Sequence, residues 1–174
     1  MNENFRKARD RIIDHNSDSQ TLLGMNPTVR RLLSVMYYYE KPMTLDDMTE
    51  LLGMSKASMS NSVRELDEIG LVEKVWKKGV RKDLYKVEED NYESFFKFYS
   101  YHWRKILNPK TISLKKSIDE LNELMASDLD EETRSLIEKD LIKLEAGLDY
   151  FDWLARLIKS FETQEIFDYI PKKP

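Results

Sequence analysis

Along most of this chain apolar side chains recur three and four residues apart, the spacing of a helix face, and only between residues 71 and 88 does the pattern shorten to that of strands. Residues 3 to 23 place Phe5, Ala8, Ile12 and Ile13 on one side of a helix, which the polar run DHNSDSQ interrupts. A stronger signal is NPTVRRLLSVMYYYEK. Asn26 can cap a helix there, Pro27 suits its first turn, and Val29, Leu32, Leu33, Met36 and Tyr37 share a face until Lys41-Pro42 ends it. Thr44 caps the short helix LDDMTELL, with Leu45, Met48, Leu51 and Leu52 on one face, and Gly53 stops it. Ser55 caps the next helix, KASMSNSVRELDEI, and Gly70 closes it where a left-handed backbone is needed. Two helices joined by a short Gly-containing turn form a helix-turn-helix.

The strand-like runs follow at once. LVEKVW and DLYKVE are rich in Val, Leu and aromatic residues and flank KKGVRK, which reads as a two-stranded hairpin with glycine in its loop. The order helix, helix, helix, hairpin is that of a winged helix. From Asn91 the chain is helical again: Tyr92, Phe95, Phe96, Tyr99, Trp103 and Ile106 make an apolar stripe that ends near Asn108-Pro109. Residues 110 to 127 carry Leu114, Ile118, Leu121 and Met125. After the turn SDLD, residues 131 to 160 place Ile137, Leu141, Leu144, Leu148, Phe151, Ala155 and Ile158 at alternating spacings of four and three. That is a heptad seam, and it calls for a neighbour, either the preceding helix or a second subunit. The tail FDYIPKKP has too little pattern to interpret. The expected architecture is mainly α with a small β-hairpin: an N-terminal helix or arm at 1–24, contacting a dimer partner, a winged helix-turn-helix at 25–90, and a helical dimerisation and effector region at 91–174.

Composition narrows the function. A chain of 174 residues with 41% hydrophobic and 34% charged residues can bury a core unaided. Without any cysteine it has no disulfide, thiolate metal site or cysteine nucleophile. The charged start MNENFRKARDRIIDHN does not read as a signal peptide, and no apolar run approaches the roughly 20 residues that span a bilayer, so a cytoplasmic protein with no membrane partner is expected. His15 and His102 are isolated, and no Gly-rich phosphate loop, HExxH or Gly-x-Ser-x-Gly elbow is present. The expectation is therefore no enzyme, no catalytic residue, no metal and no cofactor.

Charge is unevenly placed. The formal net charge is -4, yet residues 53 to 86 carry eight cations against five anions. Affinity for nucleic acid depends on the charge that faces phosphates, so an acidic total is no obstacle. With Met59, Val63, Leu66 and Ile69 turned inward, the helix after Ser55 shows Ala57, Ser60, Asn61 and Arg64 outward, with Lys56 and Ser58 in its first turn. Arg can bridge guanine O6 and N7, Asn can bridge adenine N6 and N7, and an alanine methyl can meet a thymine methyl. Ser55, Ser58 and the free amides of the helix start suit phosphates, and Thr44, at the start of the preceding helix, is a further candidate for contact with DNA. A polar face merely solvated by water is the alternative. The hairpin shifts the balance, because Lys77, Lys78, Arg81 and Lys82 at its tip can straddle the adjacent backbone or enter the minor groove. Asp83 is placed to orient Arg81 or Arg64, or stands as a plain strand-end acid.

The runs EKPMTLDDM, LGMSKASMS and VWKKGVRKDLY carry a resemblance over about residues 24 to 105. The sequence resembles the MarR-type winged-helix regulators, and specifically the GbsR subgroup, which regulates glycine betaine synthesis and uptake genes. The resemblance implies a homodimeric repressor that dimerises through terminal helices, reads an inverted repeat in double-stranded DNA, and responds to choline or a related quaternary ammonium compound. The aromatic clusters MYYYE and NYESFFKFYSYHW offer Tyr37, Tyr92, Phe95, Phe96, Tyr99 and Trp103 as a cage that would hold such a cation by cation-π attraction. Aromatics at helical spacing also serve as core or dimer interface. The rival reading is a winged helix used for protein contacts or nonspecific DNA binding, without an effector.

Overall fold

The computed structural model describes residues 3–19 and 24–173, and the chain divides into two compact units, one ending at Phe98 and the other running from Tyr99. Most of it is helix, with one antiparallel two-stranded sheet. Among the described residues no helix is long and apolar enough to cross a membrane.

In the first unit α1 spans Glu3–Ser19 and packs on α2, Pro27–Tyr39. The polar run expected to interrupt α1 does not do so as far as Ser19. Part of it is held by α2: Asn16 Nδ2 donates to Ser34 Oγ at 3.2 Å, Ser17 is buried, and the exposed Asp14 pairs with Arg31 at 3.0 Å, while His15 and Asp18 face water. Residues 20 to 23, the end of that expectation, lie outside the described residues. Asn26 caps α2 by accepting the Thr28 amide at 2.9 Å, and Pro27 occupies the first turn. The helix stops at Glu40, in a left-handed conformation with φ of 52°, just before Lys41-Pro42.

The next two helices are α3, Leu45–Leu52, and α4, Lys56–Ile69. Thr44 and Asp47 form a reciprocal capping box on α3, and Gly53 ends it. Ser55 caps α4 by accepting the Ser58 amide at 3.2 Å, and Gly70 closes it at φ of 82°, a region that side chains with a β-carbon avoid. Strands β1, Val72–Val75, and β2, Leu84–Val87, pair with Val75 opposite Leu84. A third segment touches the sheet: Met43 and Tyr85 exchange two backbone hydrogen bonds of 2.9 Å. The core under these elements is Leu32, Met36, Met43, Met48, Met59, Leu66, Leu71 and Val72, all nearly inaccessible. Burial of such side chains, about 1.5 to 3 kcal/mol each, supplies most of the stability. This is a winged helix.

Helix α5, Asn91–Met125, begins in the first unit and continues into the second, where α6, Glu131–Glu162, and the short α7, Ile166–Tyr169, complete the chain. The point near Asn108-Pro109 where the apolar stripe was expected to end is not the end of a helix, because Pro109 lies inside α5. Proline removes one intrahelical donor, and the carbonyl it strands belongs to Lys105, an exposed residue. Packing continues past it: Trp103 and Leu107 meet Phe151, Leu154 and Ile158 before the proline, and Leu114 lies 3.5 Å from the position a β-carbon on Gly147 would take beyond it. Part of the heptad seam of α6, Phe151 and Ile158, is thus met by the preceding helix of the same chain, with Leu154 buried there in place of the exposed Ala155. Asp130 caps α6 by accepting the Thr133 amide at 2.8 Å, after the expected turn.

Candidate nucleic-acid interface

The outward face of α4 follows from its inward one. Met59, Ser62, Val63, Leu66 and Ile69 are buried, which leaves Lys56, Ala57, Asn61 and Arg64 exposed and Ser58 and Ser60 half-buried. Asn61 Oδ1 accepts a long bond of 3.5 Å from the Arg64 guanidinium, so the two groups suited to base edges stand together. Ser55 and Thr44 spend their hydroxyls as caps at the starts of α4 and α3, where Ser55 is exposed and Thr44 half-buried.

The hairpin loop from Trp76 to Asp83 is exposed throughout. Its tip is a turn in which the Val80 amide donates to the Lys77 carbonyl at 3.1 Å, with Gly79 at φ of 86°. A residue that the sequence reading passed over fixes the loop to the helices. Asp46, in the first turn of α3, accepts from Lys56 at 2.7 Å and from Lys82 at 2.7 Å, joining the start of α4 to the wing. The hydrogen bonds and charges of Lys56 and Lys82 hold the Asp46 carboxyl down to about 2, and Asp46 in turn raises Lys82. A small polar cleft at this place is lined by Thr44, Asp46, Lys56, Arg81, Lys82 and Asp83 among others. The only sequence signal for Asp46 was its place in the first turn of a helix, where an acid is favourable on dipole grounds alone.

Asp83 does not orient Arg81 or Arg64. It pairs with Lys74 at 2.8 Å across the neck of the hairpin, because the strand register brings those two side chains together. Lys77, Lys78 and Arg81 form no ion pair among the described residues, and all three are exposed. The sequence reading also missed Trp76, 81% exposed at the start of the loop.

The six rings named for a cage lie in different settings. Tyr37 is half-buried near the end of α2, and its hydroxyl accepts from Asn91 Nδ2 at 3.2 Å at the start of α5. Tyr92 and Phe95 are about half exposed, and Phe96 is buried with its ring edge-on to Phe95. Tyr99 and Trp103 belong to the second unit, where Trp103 packs in the α5–α6 cluster. A cleft of ≈ 580 Å³ between α5 and α6 is lined by other residues, including Arg104, Ile112, Asp149, Phe151 and Ile158. Among the described residues no group of His, Asp or Glu is arranged to hold a metal ion.

Comparison with known proteins follows the same division. Residues 91–168 match the family described as GbsR family transcriptional regulator, C-terminal helical hairpin, and residues 23–76 match the MarR family. The chain is 40% identical to the putative HTH-type transcriptional regulator YvaV of Bacillus subtilis, over 95% of this chain and 94% of that one. It is also 40% identical to the HTH-type transcriptional repressor OpcR of Bacillus subtilis, over 95% and 90%. Identity to the HTH-type transcriptional repressor GbsR of the same organism is 34%, over 95% and 92%. Similar solved structures include a transcriptional regulator at TM-score 0.46 and 13% identity, covering 87% of this chain and 99% of that one. Another is a point mutant of Staphylococcus aureus MepR bound to an oligodeoxyribonucleotide, at TM-score 0.41 and 16% identity, over 83% and 94%.

Proposed function

The chain belongs to the GbsR family of transcriptional regulators, with a MarR-type winged helix, and from that premise we propose that it is a homodimeric repressor of the genes whose operators it binds. Residues 25–90 read the duplex and residues 91–174 dimerise. In each protomer α4 enters the major groove, where Arg64, Asn61, Ser60 and Ala57 face base edges, while Lys56, Ser55 and Ser58 hold phosphates around its start and Thr44, its donors engaged by Asp47, sets the start of α3 beside them. Lys77, Lys78, Arg81 and Lys82 lie along the flanking backbone. Two such surfaces about 34 Å apart suit an inverted repeat.

The observation that carries this reading is the bridge at Asp46, which couples the recognition helix to the wing through Lys56 and Lys82 and so makes one surface of two elements. The effector is choline or a related quaternary ammonium compound, as the family resemblance implies. Its place is among the rings where α2 ends and α5 starts, Tyr37, Tyr92 and Phe95, each worth roughly 0.5 to 2 kcal/mol to a bound trimethylammonium group. Binding there favours a dimer whose recognition helices no longer match successive grooves.

Selection from random duplexes tests the central statement. A palindromic consensus is expected, and enrichment without any preferred bases would refute it. Operator affinity measured with and without saturating choline tests the effector, and equal values would remove that ligand.

A further inference from the structure

Trp76 has no packing role in the fold. It follows Val75, the last residue of β1, and 81% of its surface is open to solvent. The loop that carries it is nonetheless braced. Val75 pairs with Leu84, Lys74 bonds Asp83 at 2.8 Å across the neck, and Lys82 is tied to Asp46 at 2.7 Å. Beyond Trp76 the chain reverses through the Lys77–Val80 turn, and Val80, 37% exposed, is the other apolar side chain of the tip. A large indole is therefore displayed, on a constrained support, on the same exposed loop as Lys77, Lys78 and Arg81.

The surroundings decide what can cover that ring. A cationic ligand would be repelled by the same lysines and arginine. An apolar protein surface would have to dehydrate them. A nucleic-acid duplex supplies phosphates for the cations and, between its two backbones, sugar walls and base-step gaps for a flat apolar ring. A minor groove about 6 Å wide admits an indole edge-on.

We infer that Trp76 enters the minor groove beside the bases read by α4 and wedges at a base step, so that the flanks of the operator are chosen by how easily they deform. The inference rests on the duplex-binding reading of α4 and the wing. Pyrimidine–purine steps open and kink most easily, so TA or CA/TG should be enriched at one fixed position outside the central bases of each half-site.

The test is the same selection from random duplexes run with wild type, Trp76→Ala and Trp76→Phe, together with operator affinity and a urea unfolding curve for each. Wild type is expected to enrich both central bases and flanking pyrimidine–purine steps. Trp76→Ala should keep the central bases, lose the flanking preference and bind about tenfold more weakly. Trp76→Phe should retain part of both, and the unfolding midpoint should not move. An alanine variant that selects the same flanks with unchanged affinity overturns the role of Trp76 alone. A wild type that selects no bases at all removes the duplex-reading surface, and this inference with it.

Discussion

Arg64 and Lys78 stand on the same proposed surface with different chemistry, and single substitutions separate them. Arg64 presents a planar fork near Asn61 and can discriminate bases, whereas Lys78 is an exposed point charge on the wing. Arg64→Ala is expected to cost about 1 to 3 kcal/mol at the preferred operator and to relax preference at one position. Lys78→Ala should weaken every sequence alike and flatten the salt slope by about one unit. Binding isotherms at several salt concentrations check both, and identical effects would contradict the division of roles. In the core, Leu66 is fully buried, so Leu66→Ala should lower stability by about 2 to 5 kcal/mol, read from the denaturant midpoint. Local rules made many residues legible: a serine before a helix and a glycine after it told the ends of α4, and the inward set of Met59, Val63, Leu66 and Ile69 told its outer face. The partners of Asp46 and Asp83 were not legible. Each depends on which residue of a distant element arrives opposite, and the register of a hairpin with a loop as long as Trp76 to Asp83 is not written in its alternation.

At the scale of elements, helix ends respond to acid. Asp47 is lowered by the hydrogen bonds it accepts from Thr44, and Glu88 by the one from Lys97, 2.5 Å away. Both carboxylates are more acidic folded than unfolded, so their contribution is complete above the ordinary values of about 4 and is lost as pH falls through the folded values. Urea midpoints should be level from neutral pH to about 5 and decline below 4, and Asp47→Asn should lessen that decline. Thr44→Ala removes the other half of the box and should cost about 1 kcal/mol. Elements with a clear period were read correctly in kind, including the hairpin and α6. The misreadings came where packing overrides local preference. Pro109 and the polar run of α1 look like stops in isolation, but partners on α6 and α2 hold the helix through them. The bridge of Met43 to Tyr85 involves too few residues to show a pattern.

For the whole molecule, α6 has two apolar stripes. One meets α5, and the other, Ile142, Ala146, Tyr150 and Trp153 at spacings of four, four and three, is exposed, with Ile142 68% and Trp153 50% open. If the dimer proposed for residues 91–174 buries this second stripe, Ile142→Lys with Trp153→Lys should give monomers in sedimentation and a large loss of affinity for a palindromic operator. A dimer that persists in this variant would move the interface elsewhere. The sequence announced one seam on this helix and left its neighbour open, because a heptad pattern does not say whether the facing helix comes from the same chain.

The bridge at Asp46 also bears on thermodynamics. On the proposed DNA surface Lys56 and Lys82 would meet a duplex with part of their rotameric freedom already surrendered, so less entropy would oppose the docking of these two side chains than of an untethered pair such as Lys77 and Lys78. Warming should therefore loosen the tip contacts before those at the root of the wing.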